Sequence, residues 1–210
     1  MTTSDTPTRE VGVFVFDGFE PLDVFGPVQM LGAMRNRFHV QLLGPAADEP
    51  VTSSLGQRVI ADRSWNDMQR LDVIMVPGGQ GTRTVVTDER LLVALRFHAA
   101  KAELVTSVCT GAAVLAAAGV LDGRRATSNK LAFEWVRSQG PNVEWVPQAR
   151  WVEDGNRVTS GGVAAGTDMA LYLVAKLHGR ESAERLATAL EYRWNADPAD
   201  DPFAASAGLV

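Results

Sequence analysis

A chain of 210 residues is long enough for one domain with a substantial core, and nothing in that length demands a second. Apolar residues make up 46% of it and charged residues 21%, a globular balance that excludes collagen-like, disordered and membrane-spanning classes. The formal charge of -5, with no basic run longer than Arg124-Arg125, argues against a nucleic-acid surface, because phosphate binding needs a clustered basic face.

One cysteine cannot form an internal disulfide, the first ten residues lack an apolar segment, and no stretch of 18 apolar residues occurs. The expectation is a cytoplasmic protein that meets neither membrane nor nucleic acid. Residues 1–10 read as a disordered polar N-terminus, 11–195 as the folded domain and 196–210 as an irregular, turn-rich tail.

In chain order, Val11 to Phe16 is a nearly continuous apolar run, the pattern of a central parallel strand covered on both faces. Pro21 suits a first helical turn, and Leu22, Phe25, Val28, Leu31 and Met34 follow as an apolar stripe with Pro27 expected to kink it. Phe38 to Leu43 reads as a strand, Val51 to Asp62 as a small hairpin, and Leu71 to Val76 as a buried strand stopped by Pro77-Gly78-Gly79. A helix spans Asp88 to Ala100. Then Leu104 to Val108 forms a β-branched strand, and a small-residue helix begins at Gly111. Short strands at 125–129, 143–146, 149–153 and 157–160 and helices at 131–136, 164–177 and 182–192 complete the pattern. Strands alternating with helices predict an α/β three-layer sandwich of flavodoxin-like type, a mainly parallel sheet with helices on both faces.

Cys109 falls where the β-branched strand meets the helix, with no loop residue to spare. Such a turn lifts the apex side chain above the sheet, as in a nucleophile elbow, and points it at helix N-terminal amides that favour a thiolate. A titration below the free-thiol value is therefore expected. A lone cysteine after an apolar strand is equally well a small buried hydrophobe.

Ligands of such sheets bind beyond the carboxyl ends of the strands. Gly78 and Gly79 stand at one such end, and their amides could join that of Thr110 in an oxyanion hole, although a tight turn explains the same residues. Gly111 would let a substrate approach closely. Among Asp17, Glu20 and Asp23, acids that can simply serve a helix dipole, Asp23 faces the neighbouring strand ends best. Beside a thiolate its pKa would rise, making it a proton donor near neutrality. His39, His98 and His178 fall where structural roles suffice, so a Cys-His-Asp triad has no support. No metal site is expected, because no two Cys, His or acidic residues stand at ligand spacing, and no cofactor is implied.

Cys109-Thr110-Gly111, Pro77-Gly78-Gly79, Leu22-Asp23 with Gly26-Pro27, and Thr159-Ser160-Gly161-Gly162 together resemble the ThiJ/PfpI superfamily, whose fold is similar to class I glutamine amidotransferase domains. The resemblance runs from about Val11 to Tyr192 and is nearest to the isocyanide hydratase subgroup, in which threonine follows the cysteine and an aspartate replaces the glutamate of other branches. Cys109, Thr110 and Asp23 occupy those positions. Asn129 stands where other branches carry histidine and could only hydrogen-bond a substrate, which points away from protease and glyoxalase chemistry. Related regulators append a basic helix-turn-helix region that this sequence does not contain.

The resemblance implies a small-molecule substrate, a homodimer, and addition of the Cys109 thiolate to an isocyanide with Asp23 delivering a proton. Phe14, Phe16, Phe19 and Trp65 look like the apolar set such a dimer would cover. Alternatives of other classes are a redox or ligand sensor built on Cys109, and a glyoxalase or deglycase acting on methylglyoxal.

Overall fold

A computed structural model describes residues 7–67 and 69–210. The first half holds β1 (Arg9–Phe14), α1 (Pro21–Gly32), β2 (Phe38–Gly44), β3 (Pro50–Thr52), β4 (Arg58–Ile60), β5 (Arg63–Ser64), β6 (Val73–Val76), α2 (Thr82–Val85) and α3 (Glu89–Ala99). The second holds β7 (Leu104–Val108), α4 (Gly111–Ala117), β8 (Arg125–Ala126), α5 (Phe133–Gln139), β9 (Glu144–Trp145), β10 (Trp151–Asp154), β11 (Arg157–Ser160), α6 (Ala164–His178), α7 (Arg180–Ala189) and α8 (Phe203–Ser206).

The central sheet has seven strands in the order β10-β11-β7-β6-β1-β2-β5, parallel throughout except for the β10–β11 pair. The expected α/β architecture is therefore present. Its inner strands are apolar because both faces are covered: Val11, Val13, Ile74, Met75 and Val105 have no exposed surface. Helices α1, α6 and α7 pack together as one layer, and α4 contacts α2, α3 and α5 in the other. Residues 50–60 form the expected hairpin, β3 against β4.

Several expectations need correction. The first strand begins at Arg9, inside the stretch read as a disordered N-terminus; residues 1–6 of that stretch lie outside the described residues. The tail contains α8 and a buried Asp201, which accepts from the Ala149 amide and pairs with Lys130 at 3.0 Å. Phe14, Phe16, Phe19 and Trp65 are interior residues of this one chain, at most 2% exposed, so they offer nothing to a dimer.

Helix α1 buries Asp23, Val24, Gly26, Pro27, Met30 and Leu31, while Leu22 and Phe25 face outward. The every-third-residue stripe misled because three residues fall about 60° short of a full turn, so a strict triplet spirals around the helix. Burial of Val24, Met30 and Leu31 contributes about 1.5–3 kcal/mol each and sets which face turns inward. That face carries Asp23 into the core, and Gly26 allows it, since a Cβ there would lie 2.3 Å from Thr167 Oγ1 of α6.

Candidate active site

The β7–α4 join is the sharp turn expected. Cys109 adopts φ 57°, a left-handed conformation that costs a non-glycine residue about 1–2 kcal/mol. Neighbours hold it there: its N–H is shared between the carbonyls of Ser160 (3.2 Å) and Gly161 (3.1 Å), and its carbonyl accepts from Ser128 Oγ at 2.7 Å. Strain that persists under such constraint is a mark of functional geometry. Gly111 is required next, for a Cβ there would lie 2.1 Å from the Val76 carbonyl oxygen. Its small size thus serves the seating of α4 on the strand ends rather than substrate approach.

Asp23 reaches the same point from α1. Its Oδ2 accepts from the Gly78 N–H at 2.9 Å, while the Glu20 N–H donates to the Gly78 carbonyl at 2.8 Å, locking the start of α1 to the turn after β6. Gly78 can only be glycine in this arrangement: a Cβ would lie 2.7 Å from both Thr110 N and Thr110 Oγ1 and 2.8 Å from Asp23 Oδ2. The Gly79 N–H donates to Thr110 Oγ1 at 3.1 Å. Of the three amides expected in an oxyanion hole, those of Gly78 and Gly79 are therefore already engaged, one with the carboxyl and one with the threonine.

The amides that do approach Cys109 sulfur belong to Thr110 and Val163, joined by the Thr110 hydroxyl. Thr110 Oγ1 accepts from the Gly79 N–H and from Thr82 Oγ1 at 3.1 Å, and its own hydrogen is shared between the Gly79 carbonyl, 3.4 Å away, and the sulfur. Val163 was not singled out from sequence. It lies at the start of α6 with φ 35° and ψ −80°, an outlier for a β-branched residue, and the preceding Gly161-Gly162 pair was its only signal.

The electrostatics reverse one expectation. Burial pushes the Cys109 thiol up to about 12, the charge of Asp23 adds to this, and the Thr110 and Val163 donors offset only part of it. Helix amides therefore do not make a resting thiolate in so closed a site. Burial also raises Asp23 to about 7; the Gly78 N–H pulls it back, the charge of Glu20 raises it further, and the thiol acting as donor lowers it. Asp23 has no exposed surface, and its Oδ1 makes no fully formed hydrogen bond among the described residues. A buried acceptor with no other partner thus faces a buried thiol, a geometry suited to passing one proton between them.

Above this pair lies a cavity of about 470 Å³. Asn129 lines it, but its Oδ1 is committed to the Ala132 N–H at 3.1 Å, leaving the Nδ2 side as a donor. Glu20 and Ser54 form one wall, joined by a 3.0 Å hydrogen bond, whereas Asp17 is turned away to the Thr52 amide. None of the three histidines lines the cavity; His98 is packed between Phe14 and Phe97. Among the described residues no cluster of three or more metal-ligating side chains occurs, and no helix is long and apolar enough to cross a membrane.

A strained cysteine on a strand-to-helix elbow, facing a buried carboxyl at the carboxyl ends of a mainly parallel sheet, makes this an α/β protein with a candidate cysteine–carboxyl site. The chain belongs to the DJ-1/PfpI family, whose sequence model matches residues 9–176. It is 39% identical to the isonitrile hydratase of Pseudomonas putida over 184 residues, covering 87% of this chain and 78% of that protein. It is 32% identical to the transcriptional regulator CdhR of Pseudomonas aeruginosa, covering 84% of this chain and 53% of the regulator. Among solved structures, a ThiJ/PfpI family protein from Pseudomonas syringae superposes with TM-score 0.82 at 30% identity, covering 91% of this chain and 78% of that one.

Proposed function

We propose that the protein is an isocyanide hydratase-like enzyme that converts R–N≡C and water into the formamide R–NH–CHO. The observation that carries this reading is the buried Cys109–Asp23 pair, a raised thiol beside a carboxyl of pKa about 7 with a free oxygen. The 39% identity to an isonitrile hydratase supports the substrate class.

In the first step the proton of Cys109 passes to Asp23 and then to the terminal carbon of the isocyanide, where sulfur also bonds, giving the thioimidate R–N=CH–S–Cys109. Proton and sulfur thus end on the same carbon. In the second step Asp23 takes one proton from water as the hydroxide oxygen adds to that carbon, and passes it to the imidate nitrogen, giving R–NH–CH(OH)–S–Cys109. Collapse breaks the C–S bond, releases R–NH–CHO, and the hydroxyl proton returns through Asp23 to sulfur. Thr110 hydroxyl and the Thr110 and Val163 amides stabilise sulfur while it carries negative charge. The chemistry uses no cofactor. Burial of Cys109 keeps the thiol neutral until substrate arrives.

A turnover screen with an aryl isocyanide and with methylglyoxal, alongside Cys109→Ala, tests the reading. Isocyanide consumption with formamide release that vanishes in Cys109→Ala is expected. Consumption of methylglyoxal alone would sink the hydratase mechanism in favour of a glyoxalase or deglycase, although no histidine is available in the cavity for that chemistry. The similarity to a regulator favours a second reading, a sensor in which peroxide oxidises Cys109 to a sulfenic acid beside Asp23. Inertness to both substrates together with rapid peroxide uptake would support it.

The same reading includes a cytoplasmic homodimer, with Leu22 and Phe25 exposed on α1 as apolar surface to cover. Sedimentation as a monomer at micromolar concentration would remove the dimer from it.

A further inference from the structure

We propose that the cavity above Cys109 selects ligands bearing a carboxylate distant from the reacting carbon, and that Arg83 is the residue that reads it. Two lining side chains are charged at neutral pH, Glu20 and Arg83. Glu20 belongs to the wall built by the start of α1 and the β3–β4 hairpin, where Ser54 Oγ donates to it. Arg83 comes from α2 on the side of α5, and its guanidinium lies 4.5 Å from the centre of the Trp135 ring.

Three features make Arg83 a reader rather than a structural cation. Among the described residues it forms no ion pair, and the acid adjoining Trp135, Glu134, is taken by Arg137 at 3.1 Å. The guanidinium sits over the Trp135 ring and, among the described residues, donates no side-chain hydrogen bond, so its N–H groups are available for carboxylate recognition. Leu131 and Ala132, which also line the cavity, are apolar, and Leu131 is 92% exposed. An aliphatic or aromatic spacer would lie on them.

The negative end must be remote from the sulfur. Asp23 and Glu20 would repel an anion placed next to Cys109, whereas one held at Arg83 is compensated. Joined to the proposed hydratase activity, on which this part rests, the substrate class is an isocyanide whose substituent carries a carboxylate across an apolar spacer.

The test exploits the single cysteine, so that it does not depend on turnover. The thiol adds across the double bond of a maleimide, S–C and C–H bonds forming as the C=C bond is lost. The rates of Cys109 with N-(4-carboxyphenyl)maleimide and with uncharged N-phenylmaleimide are compared by intact mass at pH 8. Any change in thiol reactivity or fold cancels in their ratio. Arg83→Gln should lower the charged-to-neutral ratio about two- to fivefold, the range of an exposed ion pair, Arg83→Lys should retain part of it, and high salt should erode it. A ratio unchanged in Arg83→Gln overturns the proposal, as does failure of Cys109 to react with either reagent. In parallel, 4-isocyanobenzoate and its methyl ester are offered as substrates. If neither is consumed while the maleimide ratio still falls, the hydratase reading fails and the anion site stands; if both are consumed with a kcat/KM ratio indifferent to Arg83, the anion site fails and the hydratase reading stands.

Discussion

Replacing Asp23 by Asn should nearly abolish turnover and at the same time stabilise the protein in a pH-dependent way. The carboxyl rises from 3.8 to about 7 on folding, chiefly through burial, so the folded state holds its proton more tightly than the unfolded chain does. Stability linked to this group is fully present below about pH 4 and is lost as pH rises to about 7. At ~1.4 kcal/mol per pH unit, the rise amounts to on the order of 4 kcal/mol of destabilisation in the ionised form above pH 8. Asn keeps an oxygen for the Gly78 N–H and carries no charge. Urea denaturation of Asp23→Asn and the parent should therefore give similar stabilities at pH 4 and a difference of several kcal/mol favouring the variant at pH 8.5. Turnover should fall about 10²- to 10⁴-fold, since no other carboxyl reaches the thiol. In the parent, kcat/KM should rise with pH through about 7 as Asp23 becomes able to accept the thiol proton. A stability difference that is flat between pH 4 and 8.5 would refute the buried, proton-holding carboxyl, whatever happened to activity.

Alkylation of Cys109 by iodoacetamide should climb steadily to pH 10 without the plateau of a low-pKa thiol, and Asp23→Asn should move the curve toward lower pH by removing the adjacent charge. A plateau at or below pH 8 in the parent would contradict the burial argument. Gly78→Ala places a methyl group against Thr110 and the Asp23 carboxyl. It should cost about 1–3 kcal/mol of stability and at least tenfold in turnover, read by melting and kcat; unchanged turnover would show that the Gly78–Asp23 contact does not position the carboxyl. Asp201→Ala leaves Lys130 buried without its acid partner and should cost about 3–5 kcal/mol in urea denaturation. Because Lys130 lies between the cavity residues Asn129 and Leu131, KM should rise in that variant; a loss below 1 kcal/mol would show the tail contact to be incidental.

Much of the molecule was legible because it depends on local pattern. The apolar runs at 11–16, 71–76 and 104–108 can satisfy their backbone and bury both faces only as inner parallel strands, and the change from β-branched to small residues at Cys109 marks the elbow without reference to the rest of the chain. The approach of Asp23 was readable from its place in the first turn after a strand. The directions of individual hydrogen bonds, by contrast, depend on parts of the chain distant in sequence. Gly78 and Gly79 look like free amides until α1 brings a carboxyl to one and the elbow brings a threonine hydroxyl to the other. Val163, more than fifty residues beyond Cys109, contributes an amide to its sulfur only because β11 lies beside β7. The thiol's protonation was misjudged for the same reason: a helix N-terminus is written locally, but the burial that outweighs it is the sum of every element packed around the site, and only the tertiary structure supplies that sum.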